Sequence, residues 1–196
     1  MFLLGLTGSI GMGKSTTAQM FAAEGCAVWD ADAAVHRLYS KGGAAVAPMA
    51  VALPAAVEEG AVSRTQLKAI IGQDPTALTR IEAIVHPLVA KDRADFIAAA
   101  KSDVIVLDIP LLFETGGDAK MDATACVRVD SDTQKARVMD RGTMTEAQFE
   151  TILSKQMPID EKCARADYVI ETDTLDHART QVRAVLADIR EKIAHA

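Results

Sequence analysis

The sequence predicts an α/β protein whose parallel sheet is covered by helices on both faces. Five short runs are almost wholly apolar, which is how strands buried on both faces read. Segments of helical length and pattern separate most of them, as βαβ units require. The first run also passes directly into a glycine-rich turn, Gly8-Ser9-Ile10-Gly11-Met12-Gly13-Lys14-Ser15, with a helical pattern behind it.

Taken in order, the strands fall at residues 2–7, 26–30, 104–109, 123–129 and 168–171, each β-branched or otherwise apolar. Helices are expected at 14–24, 31–39, 64–71, 75–100, 132–141, 145–156 and 175–194. Pro87 must bend or split the long one, since it removes a hydrogen bond and crowds the preceding turn. Residues 31–102 carry helical pattern and no clear strand, so they read as a helical insertion between the second and third strands. Residues 141–166 form a polar, charged stretch before the last strand. Two insertions beside a parallel core suggest a substrate-gripping arm and a lid.

The 196 residues favour one domain with an elaborated sub-domain and allow a sizeable core without staples. A net charge of −6 argues against nucleic acid or a membrane surface as partner, because there is no basic excess to meet phosphates. No apolar run approaches the length of a membrane span. Cys26, Cys126 and Cys163 match neither a CxxC nor a metal spacing, so they read as buried thiols in a reducing compartment. The first residues read as a strand rather than a signal peptide. A cytoplasmic enzyme is the expectation.

The glycine turn matches GxxxxGK[ST], a phosphate-binding loop. Glycine permits the positive φ values that turn successive N–H groups inward, and the following helix adds the positive end of its dipole. Lys14 can bridge β- and γ-phosphates, the Ser15 hydroxyl can ligate Mg²⁺, and Thr16 can reach the α-phosphate. Asp108 ends an apolar strand in "VIVLDIPLLFE", where a carboxylate can hold the metal. Glu114, in the same stretch, either contacts the substrate or caps the next segment. The chain has no asparagine, hence no Asn-Lys-x-Asp guanine reader, which disfavours a GTPase. Asp30 and Asp32 sit where the second strand becomes a helix, and carboxyl ends of parallel strands face the ligand crevice. One of the two caps the helix; the other is free for an acceptor hydroxyl. Their spacing does not say which. The pair favours a small-molecule kinase over a nucleotide-dependent switch.

The loop, "DADAAVHRL", "IVHPLV", "VLDIPLLFE", an RxxxR pair and "ADYVIET", in this order and over essentially the whole chain, resemble the dephospho-coenzyme A kinase family. The resemblance implies a three-layer P-loop fold with strand order 2-3-1-4-5, a helical coenzyme-binding region and a lid. It implies ATP as phosphoryl donor, Mg²⁺, the ribose 3′-hydroxyl of dephospho-coenzyme A as acceptor, and a monomer or weak homo-oligomer. Asp32 then matches the acidic residue at the acceptor hydroxyl, leaving Asp30 as the cap. Asp108 and Ser15 match the metal site, and Gly11, Met12, Gly13, Lys14, Ser15 and Thr16 the ATP site. Arg137 and Arg141 match lid-side arginines that meet ATP phosphates. His86-Pro87 matches a signature open to two readings: a packed histidine before a helix-start proline, or a substrate contact. Thr172 departs from the family, which often has Asn there. A hydroxyl lacks the two-sided geometry of an amide, so any change in base selectivity would arise at this position.

Overall fold

A computed structural model of the chain describes residues 1–195. It divides into two compact units, one formed by Met1–Trp29 with the chain from Ala100 onward, the other by Asp30–Ala99. In chain order the elements begin with β1 (Phe2–Thr7), α1 (Lys14–Ala23) and β2 (Ala27–Asp30). The second unit holds α2 (Ala31–Tyr39), α3 (Val46–Ala52), β3 (Val57–Glu58), β4 (Ala61–Val62), α4 (Arg64–Gln73) and α5 (Ala77–Ala99). The chain then runs through β5 (Val104–Asp108), β6 (Ala123–Arg128), α6 (Ser131–Asp140), α7 (Glu146–Leu153), α8 (Ile159–Arg165), β7 (Tyr168–Glu171) and α9 (Leu175–Ala194).

Five strands form one parallel sheet in the order β2-β5-β1-β6-β7, which is 2-3-1-4-5 when only its own strands are counted. The register sets Leu6 opposite Asp108 and Thr7 opposite Cys126, so β1 lies between the two strands whose ends flank the loop. Side chains alternate between faces along a strand. Leu4 and Leu6 of β1, Val104 and Val106 of β5, and Ala125 and Val127 of β6 pack with Phe21 of α1 and with Val182, Leu186 and Ile189 of α9. On the other face, a Cβ at Gly5 would stand 2.7 Å from Leu112 and 2.9 Å from Met121, so residues after β5 cover the sheet closely there. Cys126 also turns to that face, with its Sγ 3.8 Å from the Sγ of Cys163 in α8. Both remain free thiols, as does the buried Cys26.

The second unit has its own core, in which Leu38, Met49, Leu53, Val62, Leu67, Ile81 and Val85 pack together. Three of its features depart from the expected pattern. Residues 46–52 form a helix although Pro48 stands in them; a proline in the first turn costs no hydrogen bond. A two-residue turn, Glu59-Gly60, joins β3 to β4 with both residues at positive φ. Glutamate occupies the place that Asn, Asp or Gly usually marks, so the hairpin signal is missing from the sequence. Helix α5 runs unbroken through Pro87 rather than splitting. The missing N–H would have served Ala83, and Ala83, His86 and Pro87 are all exposed, so water can reach that carbonyl. In the first unit α8 was also unforeseen, because its polar sequence carries no apolar stripe.

Candidate active site

The loop after β1 is shaped by contacts that only glycine permits. Gly11 has φ 79°, and a Cβ there would lie 2.5 Å from Val138 Cγ2 and 3.0 Å from the Gln134 carbonyl oxygen of α6. Gly13 has φ 85° and stands at the N-cap of α1 with no side-chain cap. The N–H groups of a first helical turn have no acceptor within their helix, and a glycine cap offers none from a side chain. Thr17 N is the first to bond back, to Gly13 O at 3.0 Å. Inward N–H groups at the positive end of a helix dipole make an anion site. Among the described residues, the buried Ser9 hydroxyl also makes no hydrogen bond. The cradle therefore fits a phosphate chain.

Lys14 opens α1 and forms an ion pair with Asp108 at the end of β5. Asp108 is 1% exposed, so its charge depends on such a partner. Ser15 and Thr16 follow on the exposed side of the same turn. No cluster of three or more His, Cys, Asp or Glu suited to a metal exists among the described residues. One carboxylate and one hydroxyl nevertheless suit Mg²⁺, which takes oxygen ligands and keeps phosphates and waters in its shell.

Met12 has two separate attachments. Its side chain is 2% exposed and packs in the sheet core, while its carbonyl accepts the Thr172 hydroxyl at 2.9 Å. Thr172 follows β7 and also accepts Arg137 Nη1 at 3.1 Å through its hydroxyl and Arg137 Nη2 at 2.6 Å through its carbonyl. A Cβ at Gly13 would meet the Thr172 side chain at 3.1–3.2 Å. Arg137 and Arg141 lie one turn apart along and just beyond α6 and line one side of a cavity of about 250 Å³. Gly13, Thr16, Thr172, Leu175 and Ala178 are among its other lining residues.

Glu114 anchors structure in the first unit. Its Oε1 accepts the Met157 N–H at 2.9 Å and pairs at 2.8 Å with Lys162, which is fully buried. Lys162 also donates to the Pro110 carbonyl, which Thr7 Oγ1 reaches at 3.1 Å. Burial pushes the Glu114 carboxyl up, but hydrogen bonds from Lys162 and Met157 outweigh it and hold the group below its ordinary value.

In the second unit, Asp30 Oδ1 accepts the Ala33 N–H at 2.9 Å and caps α2. Asp32 is the second residue of that helix, exposed in its first turn. His86 is exposed in the middle of α5, so it is not a packed residue ahead of a helix start. Sequence reasoning passed over Gln134 and Gln156, which hold the loop at Ile10, and over buried Lys162. None stands in a recognisable spacing; what distinguishes them is burial and long-range pairing.

The dephospho-CoA kinase family profile matches residues 2–177. A dephospho-CoA kinase of Ruegeria pomeroyi is 70% identical over 195 residues, covering 100% of this chain and 99% of that protein. The crystal structure of TT1252 from Thermus thermophilus is 31% identical with a TM-score of 0.84, over 95% of this chain and 97% of that one. A dephospho-CoA kinase structure from Campylobacter jejuni, 22% identical, shares the fold with a TM-score of 0.71 over 97% and 98% of the two chains.

Proposed function

Since the chain belongs to the dephospho-coenzyme A kinase family, we propose that residues 8–16 hold the β- and γ-phosphates of ATP while the ribose 3′-hydroxyl of dephospho-coenzyme A attacks. The reaction is ATP-dependent phosphorylation of dephospho-coenzyme A, the last step of coenzyme A synthesis. One observation carries the residue assignment. An uncapped helix N-terminus, Lys14 and the buried Asp108 meet in one unit, and the cavity opens beside that helix.

In the transfer, the 3′-oxygen bonds to the γ-phosphorus as the bond to the β,γ-bridging oxygen breaks, and ADP leaves. Lys14 and the loop N–H groups follow the charge from the γ-phosphate to the leaving oxygen. Arg141, forked and always charged, meets the γ-phosphoryl oxygens; Arg137 is held by Thr172 and flanks the base and phosphates. Asp108 and Ser15 would hold Mg²⁺, which when bound would supply positive charge against the phosphates. The cavity takes the adenine ring against Leu175 and Ala178. The Thr172 hydroxyl is engaged by Met12 and Arg137, which supports base recognition by shape and backbone groups rather than by this side chain.

Asp32 orients the 3′-hydroxyl and receives its proton. That Asp30 is committed as the helix cap supports the assignment, because it leaves Asp32 as the available carboxylate of the pair. Residues 141–166 act as the lid that excludes water, without which ATP would be hydrolysed. No helix among the described residues is long and apolar enough to cross a membrane. Three free thiols support action in the cytoplasm.

Coupled ADP release across dephospho-coenzyme A, nucleoside monophosphates, shikimate and gluconate tests the acceptor; turnover is expected with the first alone. Asp32→Asn should lower kcat by about 10²-fold, as loss of a positioned proton acceptor does, with the Kd of ATP unchanged. An Asp32→Asn enzyme with the parent kcat would remove Asp32 from the mechanism.

A further inference from the structure

Ile10 lies in the crest of the loop, and both its backbone polar groups are held by glutamine side chains. Its N–H donates to Gln156 Oε1 at 3.2 Å. Its carbonyl accepts Gln134 Nε2 at 2.7 Å. A backbone N–H can only donate and a carbonyl can only accept, so the chemistry fixes which way each amide faces. Gln134 is 3% exposed, and the α6 backbone beside it abuts Gly11 with no room for a Cβ. The two glutamines stand at opposite ends of one excursion of the chain. Gln134 precedes it on α6, and Gln156 is where the chain returns after α7, just before the Met157 N–H is fastened to Glu114.

We propose that Gln134 and Gln156 are positioning residues which couple this excursion to the phosphate loop by clamping the single peptide unit pair at Ile10. Resting on the reading of the loop as the ATP site and of residues 141–166, which include Gln156, as its lid, the proposal gives the coupling a definite chemistry. Position 156 must present an acceptor, and position 134 must present a donor. With the clamp intact, loop and excursion keep one register, so the γ-phosphoryl is transferred to the acceptor and water stays out. With either bond lost, the loop crest and the excursion move independently, transfer slows and water competes. Neither glutamine touches substrate in this scheme.

The test measures kcat, the KM of each substrate and the ratio of ADP released to coenzyme A formed. Q156M and Q134M should each lower kcat about tenfold with little change in the KM of dephospho-coenzyme A, and should raise the ADP-to-product ratio above one. Because both act through Ile10, the double variant should lose no more than the worse single one. Q156E keeps an oxygen for the Ile10 N–H and should restore the one-to-one ratio. Q134E cannot donate and should not. A simple packing role would make Q-to-E equally harmful or harmless at both positions. Should Q134M not fold, as thermal unfolding will tell, Q156M and Q156E carry the test alone, since Gln156 is only half-buried. A one-to-one ratio in Q156M, losses that multiply in the double variant, or equal behaviour of the two glutamates overturns the proposal. Lys14→Ala runs alongside. If it abolishes turnover while the glutamine variants match the parent, the clamp is wrong and the loop reading stands; if it keeps full turnover, the loop reading is what fails.

Discussion

Lys162 is a basic side chain with no exposure, and its pairing with Glu114 and the Pro110 carbonyl is what makes that burial tolerable. Breaking a buried pair strands the other charge. Lys162→Met should therefore cost about 3 kcal/mol, read from urea unfolding at pH 7. The pH dependence has a definite sign. The folded Glu114 carboxyl lies below its ordinary value of 4.5, so its stabilisation is complete above that value and is lost as pH falls through the lower folded one. The stability gap between the parent and Lys162→Met should accordingly narrow as pH drops below about 4.5; a constant gap would mean the pair contributes no linkage. Little of this could be read from the sequence. Position 162 is one basic residue in a charged stretch, and burial is not written in residue type. The positions of Lys14 and Asp108 were legible because one closes a glycine-loop motif before a helix and the other ends an apolar strand. Met12 was not: the motif assigns its backbone to the loop but says nothing of a side chain that enters the core.

Among the elements, α7 shows best how a local signal becomes structure. Thr145 Oγ1 accepts the Gln148 N–H at 3.3 Å while Gln148 Oε1 accepts the Thr145 N–H at 2.8 Å, a reciprocal capping box. Thr145→Ala should cost about 1 kcal/mol by chemical unfolding, the usual loss for a hydroxyl cap. On the proposed lid reading it should also raise the KM of ATP more than that of dephospho-coenzyme A. An unchanged unfolding midpoint would show that the cap is replaced by water at no cost. The ends of β1, β7, α2 and α9 coincide with their sequence expectations because apolar runs there stop at turn residues or caps. Where such punctuation was absent the reading failed. Helix α8 has no apolar stripe, the β3–β4 turn uses Glu59, and Pro48 disguised α3 as a loop. The RxxxR spacing on α6 placed Arg137 and Arg141 on one helical face. It could not show that Gln134 on that helix reaches back 124 residues to the loop.

At the scale of the whole molecule, two hydrophobic cores stand in two units of one chain, and each should answer separately to damage. Met49 is fully buried in the second core. Met49→Ala should cost about 2–5 kcal/mol there. Amide hydrogen exchange should quicken first in α3, α4 and α5, with protection in β1, β5 and β6 persisting to higher denaturant. Uniform loss across all elements would show instead that the chain unfolds as one cooperative block. The parallel core was legible because apolar strands and a loop motif repeat a general pattern. The separate core of the insertion was not, since its members are scattered over residues 38–85 with no period that spans the elements. The three cysteines, first described only as packing residues, have a chemical meaning once the substrate is considered. Dephospho-coenzyme A and its product end in a thiol and readily form disulfides. Burial pushes Cys26 up to about 11 and raises Cys126 and Cys163 above the ordinary thiol value. Exchange with a disulfide requires a thiolate. The upward shifts leave little thiolate at neutral pH, so these thiols are poorly disposed to exchange with that thiol pool.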